Sequence, residues 1–166
     1  MTDPAPALRL REPGQRVSPR ARLMWGTSAA LEGVVLIAVL VIAGPVTDWL
    51  PIPLWVVVLV AALSAAYAVV MPVWRYRVHR WEVTATAVYT QTGWWVRERR
   101  IAPMSRLQTV DHAEGALARL FGLATVTVTT ASAAGALEIV GLPRDRALAL
   151  VEQLAVQADT VPGDAT

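Results

Sequence analysis

The residues best suited to chemistry lie together in one segment, SRLQTVDHAEGALARLFG, at residues 105–122. Gln108, Asp111, His112 and Glu114 are of types that could ligate a metal ion or share a proton between acid and base. The segment begins as a predicted β-strand, however, and neighbouring residues such as Asp111 and His112 point to opposite faces of a strand. It also lacks the paired-histidine spacings HxxxH and HExxH. The pattern therefore favours a polar corner of the fold over a metal centre or an acid–base site.

The second half of this segment, GALARLF, predicts a short helical turn whose apolar side chains enter the core. These are Leu117, Leu120 and Phe121. Gln108 and Arg119 would tie the turn to the preceding strand, because a buried polar group left without a partner costs about 1–3 kcal/mol. We therefore interpret Gln108, Asp111 and Arg119 as polar residues that mark the fold. Two roles stay open for the corner from Asp111 to Glu114: it caps the turn, or it contributes to a contact surface for a partner.

The composition argues against an enzyme. The chain of 166 residues has no cysteine and two histidines, which removes thiolate chemistry, disulfides and the usual ligands of zinc. Neither a GxSxG elbow nor a glycine-rich phosphate loop is present. We therefore predict no catalytic residue, no metal, no cofactor and no small-molecule substrate. An apolar content of 55% and a mean hydropathy of +0.44 instead indicate a membrane protein.

Two long apolar runs predict a transmembrane helical hairpin over residues 22–73. They cover residues 23–43 and 54–73, and each is long enough to cross a hydrocarbon core of about 30 Å as a helix. A cleaved signal peptide is the alternative for the first run. It fits poorly, because the run is too long and a second run follows at once. Residues 1–21 would then form a basic tail.

The placement of arginine predicts the orientation of this hairpin. Arginines precede the first run and follow the second, whereas the connecting residues 44–53 contain none. By the positive-inside rule, both termini are expected in the cytoplasm. Tryptophans fall near the four expected interfaces, as an aromatic belt requires: Trp25, Trp49, Trp55 and Trp74.

Glu32 is an ionisable residue near the middle of the first run. A carboxylate there costs a few kcal/mol on insertion scales, so a functional role is one interpretation. The other is that it is protonated, or hydrogen-bonded to Ser28, Thr27 or Ser64 on its own helix, the neighbouring helix or a second subunit. Two helices are too few to form a transport path, so a proton or ion role would need an oligomer.

After the second run the pattern changes to that of a β domain, which we place at residues 75–158. Thr and Val alternate in the segments that predict strands, and Thr92 and Gly93 predict a hairpin turn. Residues 142–158 have helical spacing of Leu and Val and predict an amphipathic closing helix. We expect about six or seven antiparallel strands, the closing helix, and a frayed tail at residues 159–166.

These motifs resemble the YdbS-like bacterial pleckstrin-homology (PH) domain family. The resemblance covers about residues 75–158, and the preceding two-helix hairpin also belongs to the usual layout of the family. It rests on the following residues: Ile101, Pro103, Leu107, Gln108, Val110, Arg119, Leu120, Phe121, Gly122, Leu123, Val126, Val128 and Thr130.

The resemblance implies a mainly-β PH-like fold, a split barrel of two antiparallel sheets with a C-terminal capping α-helix. It implies no enzyme activity and no catalytic residue, and a location in the bacterial cytoplasmic membrane as a multi-pass protein. Members of the family often accompany a larger membrane protein with several such domains, and some are linked to envelope resistance against peptide bacteriocins. The strands that we count here are closer to six than to seven, so a first strand is expected to be bent in two or missing.

A surface rich in arginine and tryptophan is a candidate for contact with lipid headgroups, since each cation near an anionic leaflet contributes about 1 kcal/mol. The alternative splits the tryptophan pair, with one ring in the core, one covering it, and the arginines on a solvated strand face. Nucleic-acid binding is not expected, because the arginines adjoin the membrane. The candidate residues are Arg75, Arg77, Arg80, Trp94, Trp95, Arg97, Arg99 and Arg100.

Three hypotheses of function follow from the sequence. The leading one is a non-catalytic, membrane-anchored interaction module that acts with a companion PH-domain protein or with a second copy of itself. The second is a sensor of anionic lipid headgroups, which would use the surface just described. The third is a subunit of a transporter or enzyme complex, and it depends on Glu32 and Asp111.

Overall fold

The computed structural model describes residues 12–46, 52–131 and 135–160. A 3-10 turn at Met104–Arg106 joins β4 to β5. The helices and strands, in chain order, are β1 Gln15–Arg16, α1 Arg20–Val46, α2 Leu54–Val78, β2 Arg80–Val83, β3 Ala87–Thr92, β4 Glu98–Pro103, β5 Leu107–Ala113, α3 Ala116–Leu120, β6 Leu123–Thr130, β7 Leu137–Pro143 and α4 Arg144–Thr160.

The first two helices are long, apolar and largely uncovered. Each is long and apolar enough to cross a membrane, and few of its side chains are buried. Gly26 lies against Ala68 and Gly33 against Ser64, so the residue numbers rise along α1 as they fall along α2. The two helices are therefore antiparallel neighbours, packed closely through small side chains.

The second helix runs further than the sequence suggested. We expected strand structure from about Tyr76, but α2 continues to Val78, with Arg75 and Arg77 in its last turn. Cations there interact favourably with the partial negative charge of the helix C-terminus. The next strand, β2, begins at Arg80, so only His79 separates it from the end of α2.

Two antiparallel sheets follow, in the strand orders β1-β2-β3-β4 and β5-β6-β7. The alternation predicted for β6 is present: Val126 and Val128 are fully buried, while Thr125, Thr127 and Thr129 are partly exposed. Helix α4 packs against the second sheet through Ala147, Leu150 and Leu154. The predicted fold, two apolar helices followed by two antiparallel sheets and a closing helix, is confirmed.

The strand missing from the sequence-based count comes from the N-terminal segment. Gln15 and Arg16 form β1, which pairs with Trp81 and Arg80 at the edge of β2. The Ser18 amide donates a hydrogen bond to the Gly141 carbonyl at 2.9 Å. The part of the expected basic tail from Glu12 onward thus belongs to the β domain.

The start of α1 also belongs to the core of this domain. Val17, Ala21, Met24 and Trp25 are all buried in it. Gly141 makes this contact possible, because a Cβ atom there would lie 2.8 Å from the Cβ of Ala21. The expectation that Trp25 lies at a membrane interface is therefore wrong. Trp49, which we placed at another interface, lies outside the described residues, as does the predicted tail beyond Thr160.

Candidate functional site

The polar corner that opened the sequence analysis is divided among several contacts. Asp111 is exposed and accepts a hydrogen bond from the Thr109 hydroxyl at 3.1 Å. Glu114 Oε1 lies 3.6 Å from His112 Nε2 and 2.8 Å from Arg144 Nε, so it connects the corner to the start of α4. Within residues 12–46, 52–131 and 135–160, no group of three acidic or histidine side chains could hold a metal ion.

Two expectations about the adjoining turn are wrong. Gln108 lies at an irregularity of β5, and both Gln108 and Arg119 are exposed, with no hydrogen bond between them. Leu120 does not enter the core either, since it is 76% exposed. Leu117 and Phe121, four residues apart, share the face of α3 that packs against the core, and Leu120 falls outside it.

Two of the candidate headgroup arginines make contacts within the chain. Arg99 donates to Gln91 Oε1 at 2.9 Å and to Glu12 Oε1 at 3.2 Å. The Gln91 side chain is buried and donates in turn to the Val78 carbonyl at 3.0 Å, which joins the end of α2 to the sheet. Arg100 is ion-paired with Glu98 at 2.7 Å.

Three other candidate arginines make no ion pair with any described residue. Arg77, Arg80 and Arg97 line a cavity of about 280 Å³ beside Trp74. Arg77 and Arg97 are exposed, and Arg80 is partly buried. These three guanidinium groups can therefore bind an external anion without breaking an internal contact, which Arg99 cannot do.

The β3–β4 hairpin tip, which we define as Trp94, Trp95 and Val96, lies against α2. Trp94 packs edge-to-face on Tyr67 with ring centroids 6.1 Å apart, and its carbonyl accepts a hydrogen bond from Trp74 Nε1 at 2.6 Å. Trp94 is 44% exposed and Trp95 85% exposed, so neither ring of the pair is in the core.

Gly93 creates the turn that carries the hairpin tip. Its φ is +108°, a conformation that residues with side chains rarely adopt, and a Cβ atom there would lie 1.8 Å from the Val96 carbonyl oxygen. The Thr92-Gly93 turn expected from the sequence is thus where the chain leaves β3. The three residues of the hairpin tip that follow are all exposed.

A larger cavity of about 500 Å³, which we call the α2 cavity, lies between the last turns of α2 and the two sheets. Arg75 lies at one side, with its guanidinium 4.5 Å from the centre of the Trp25 ring. It makes no ion pair with any residue that the structure describes. Two carboxylates, Glu98 and Glu138, line the cavity from β4 and β7.

His79 also lines the α2 cavity and is only 5% exposed. Its Nδ1 atom is buried without a hydrogen-bond partner in the described part of the chain. The pKa of His79 is lowered from 6.5 to about 4, chiefly because burial disfavours the charged ring; the neighbouring Arg75 charge also lowers it, and hydrogen bonding to the Arg75 backbone partly opposes the shift. His79 is therefore neutral at physiological pH.

Glu32 is exposed on α1 and accepts a hydrogen bond from the Ser28 hydroxyl at 3.1 Å. Of the three hydrogen-bond partners considered from the sequence, this is the one that the structure contains. Glu32 also borders a small cavity shared with Ser64 and Tyr67 of α2.

Sequence reasoning missed Tyr67, His79 and Glu138. Tyr67 stands in an apolar run and His79 at a change of secondary structure, and no motif surrounds either. The one available signal was that Tyr67 is a polar-tipped ring within a run of small aliphatic residues, because such rings mark interfaces.

Comparison with known proteins agrees with this architecture. The model of the family described as "Bacterial PH domain" matches residues 29–158, which include much of α1 and all of α2. A protein of Bacillus subtilis (strain 168), "UPF0699 transmembrane protein YdbS", is 27% identical over 125 residues, or 73% of this chain and 79% of the relative. No solved structure matches the chain significantly. The resemblance described from the sequence is therefore confirmed.

Proposed function

This chain belongs to the bacterial PH domain family and is a membrane protein, and from that premise we propose that it is a non-catalytic membrane module that engages anionic lipid headgroups. Helices α1 and α2 span the bacterial cytoplasmic membrane with both chain ends in the cytoplasm. The PH domain rests on the cytoplasmic leaflet. The observation that carries the proposal is the contact of the β3–β4 hairpin tip with α2.

The exposed side chains of α1 and α2 support a spanning position. Large apolar residues such as Val34, Ile42 and Leu63 are each more than 60% exposed, which water would disfavour. A cleaved signal sequence is disfavoured as well, because the start of α1 supplies Ala21 and Trp25 to the domain core.

The position of the β3–β4 hairpin tip supports its insertion among lipid headgroups. Trp74 suits the membrane interface, and Tyr67 lies about 10 Å further along α2 at 1.5 Å per residue. Trp94 contacts both of these residues, so it reaches below the level of Trp74. Trp95 beside it is 85% exposed and would meet lipid rather than water.

The three arginines without internal ion pairs support a preference for anionic lipid. Arg77 belongs to the last turn of α2, Arg80 to β2 and Arg97 to the base of the hairpin. They surround Trp74, which suits the interface itself. Each cation near an anionic surface contributes about 1 kcal/mol, and this attraction falls with ionic strength.

Because the natural chain has no cysteine, single cysteines can report the depth of the tip. We expect a bimane label at Trp95→Cys in the full chain to be quenched several-fold more by acyl-chain-brominated lipid than a label at Ala85→Cys. Ala85 is exposed at the other end of β3, about 20 Å from the tip. Equal quenching at the two positions, with both labels open to aqueous iodide, would rule out insertion.

Glu32 favours a second candidate function, assembly with another membrane protein. An exposed carboxylate at mid-span costs a few kcal/mol, and a neighbouring helix that hydrogen-bonds it would remove part of that cost. The partner of this candidate is a companion PH-domain membrane protein or a second copy of the chain, bound along the α1 face that carries Glu32.

We expect Glu32→Leu to weaken association in nanodiscs by about five-fold, the loss of one interhelical hydrogen bond. Leu31→Val is the matched control, since Leu31 is 56% exposed beside it and makes no polar contact. Single-molecule photobleaching or chemical cross-linking measures the change. Unaltered association of Glu32→Leu, or equal loss in the control, removes this candidate.

A further inference from the structure

The α2 cavity holds one cation and one carboxylate that nothing in the described chain neutralises. Arg100 and Glu98 in its wall form an ion pair with each other. Arg75 and Glu138 remain, and neither makes an ion pair with any described residue. Although both line the cavity, they do not pair with each other, so the space between them separates two opposite charges.

His79 adds a second, independent sign of a missing partner. Its Nδ1 atom is buried, and a buried polar atom without a hydrogen bond costs about 1–3 kcal/mol. In the tautomer that carries a proton on Nδ1, the ring can donate to a phosphate oxygen once the side chain turns this atom toward the cavity that it lines. Arg75 beside it offers the guanidinium group that binds phosphate most often in proteins.

The cavity is accessible from the proposed membrane surface. Tyr67 and Met71 of α2 line it, and Trp94 of the β3–β4 hairpin tip forms another part of its wall. A cavity of about 500 Å³ lies within the range of ligand pockets and has room for a headgroup with its glycerol.

We propose that the α2 cavity binds the headgroup of a phospholipid that bears both a phosphate and a primary amine, as phosphatidylethanolamine does. The phosphate lies against Arg75 and His79, and the ammonium group donates to Glu138 and to the outer face of Glu98. This inference rests on the proposed function only in requiring that the domain lie on the membrane. The headgroup site in the α2 cavity is selective for one lipid, and it is separate from the anion-binding surface formed by Arg77, Arg80 and Arg97.

The test uses the full chain in nanodiscs of phosphatidylcholine, into which equal amounts of phosphatidylethanolamine or phosphatidylglycerol are introduced. With ¹³Cε1-labelled histidine, the His79 resonance should shift on addition of phosphatidylethanolamine while the His112 resonance stays in place. The midpoint of thermal unfolding should rise in the same samples, because the lipid binds the folded state alone. An equal response to phosphatidylglycerol, or no response to either lipid, overturns the proposal.

Two variants test the recognition of the phosphate and of the amine separately. Arg75→Gln should abolish the His79 shift. Glu138→Gln should reduce the preference for ethanolamine over choline about ten-fold, the effect of one charge-assisted hydrogen bond. Since Glu138 is exposed on β7, its variant is expected to fold, and Glu152→Gln on α4 is the matched control. A Glu138→Gln protein that keeps its full preference for ethanolamine contradicts the assignment.

The bimane label at Trp95→Cys distinguishes a failure of the headgroup site from a failure of the proposed membrane function. An inserted label with no response to phosphatidylethanolamine removes the headgroup site and leaves the membrane module intact. A label that stays in water removes the membrane contact itself, and the α2 cavity then has no route to lipid.

Discussion

Replacing Trp25 with alanine is expected to lower the free energy of unfolding of the PH domain by about 3–5 kcal/mol, the usual loss for a large buried aromatic side chain. Trp25 belongs to α1, yet it is only 4% exposed. Its ring centroid lies 5.1 Å from that of His79, and the Arg75 guanidinium lies 4.5 Å from its centre. Removal of the ring opens a cavity at the junction of α1, α2 and the sheets.

The measurement is thermal unfolding of the full chain in nanodiscs, combined with amide hydrogen exchange of β6. Trp55→Ala is the matched control, because Trp55 stands at the other end of the hairpin on α2 and is 66% exposed. We expect Trp55→Ala to leave the exchange of β6 unchanged. Similar losses in both variants would mean that α1 does not belong to the domain core.

The packing of the start of α1 into the domain core determines which form of the protein is suitable for binding experiments. A fragment that begins at residue 75 lacks β1 and the four buried residues Val17, Ala21, Met24 and Trp25. Such a fragment leaves the edge of β2 open and exposes the apolar surface that α1 covers. Its failure to bind vesicles would therefore report on folding rather than on lipid recognition.

Acid is expected to destabilise the domain through His79. Above pH 6.5 this histidine is neutral in both the folded and the unfolded chain, so it contributes no pH dependence. Between pH 6.5 and about 4 the unfolded chain binds a proton that the folded chain does not, so falling pH favours unfolding. Below the folded pKa both states are protonated, and the full loss of about 3 kcal/mol has then occurred.

The wild-type chain is the reference for a single variant. The free energy of unfolding of His79→Asn should vary less with pH than that of the wild type over this interval. Because carboxylates also titrate here in both proteins, the difference between the two is the quantity to compare, from denaturant unfolding at several pH values. Parallel curves for the two proteins would show that His79 protonates as easily in the folded state as in the unfolded one.

Local sequence patterns were sufficient to predict the elements whose conformation depends mainly on their own residues. The apolar content of α1 and α2 predicts long helices, since that property depends on one segment alone. Val126 and Val128 predict β6 because alternation is a local consequence of strand geometry. The Thr92-Gly93 turn follows from the φ that Gly93 alone adopts readily. The same holds for the motifs that identified the family.

The charged candidates could not be assigned from their positions in the sequence. Eight side chains looked equivalent as headgroup contacts, yet Arg99 pairs with Glu12, 87 positions away, and Arg100 with its near neighbour Glu98. A guanidinium is available to a lipid only if the fold brings no carboxylate to it. Which arginine finds an internal partner is therefore a property of the folded chain.

By itself, the sequence determined the family, the apolar helices, the strand alternation and the hairpin turn, because each depends on residues close together in the chain. Only the tertiary structure decided that Gln15 and Arg16 form a strand, since two residues carry no periodicity and depend on the edge of β2. It also decided that Trp25 is buried, because an indole suits a membrane interface and a protein core equally well. The α2 cavity likewise depends on the tertiary structure, since Arg75, His79 and Glu138 come together only where α2 faces the two sheets.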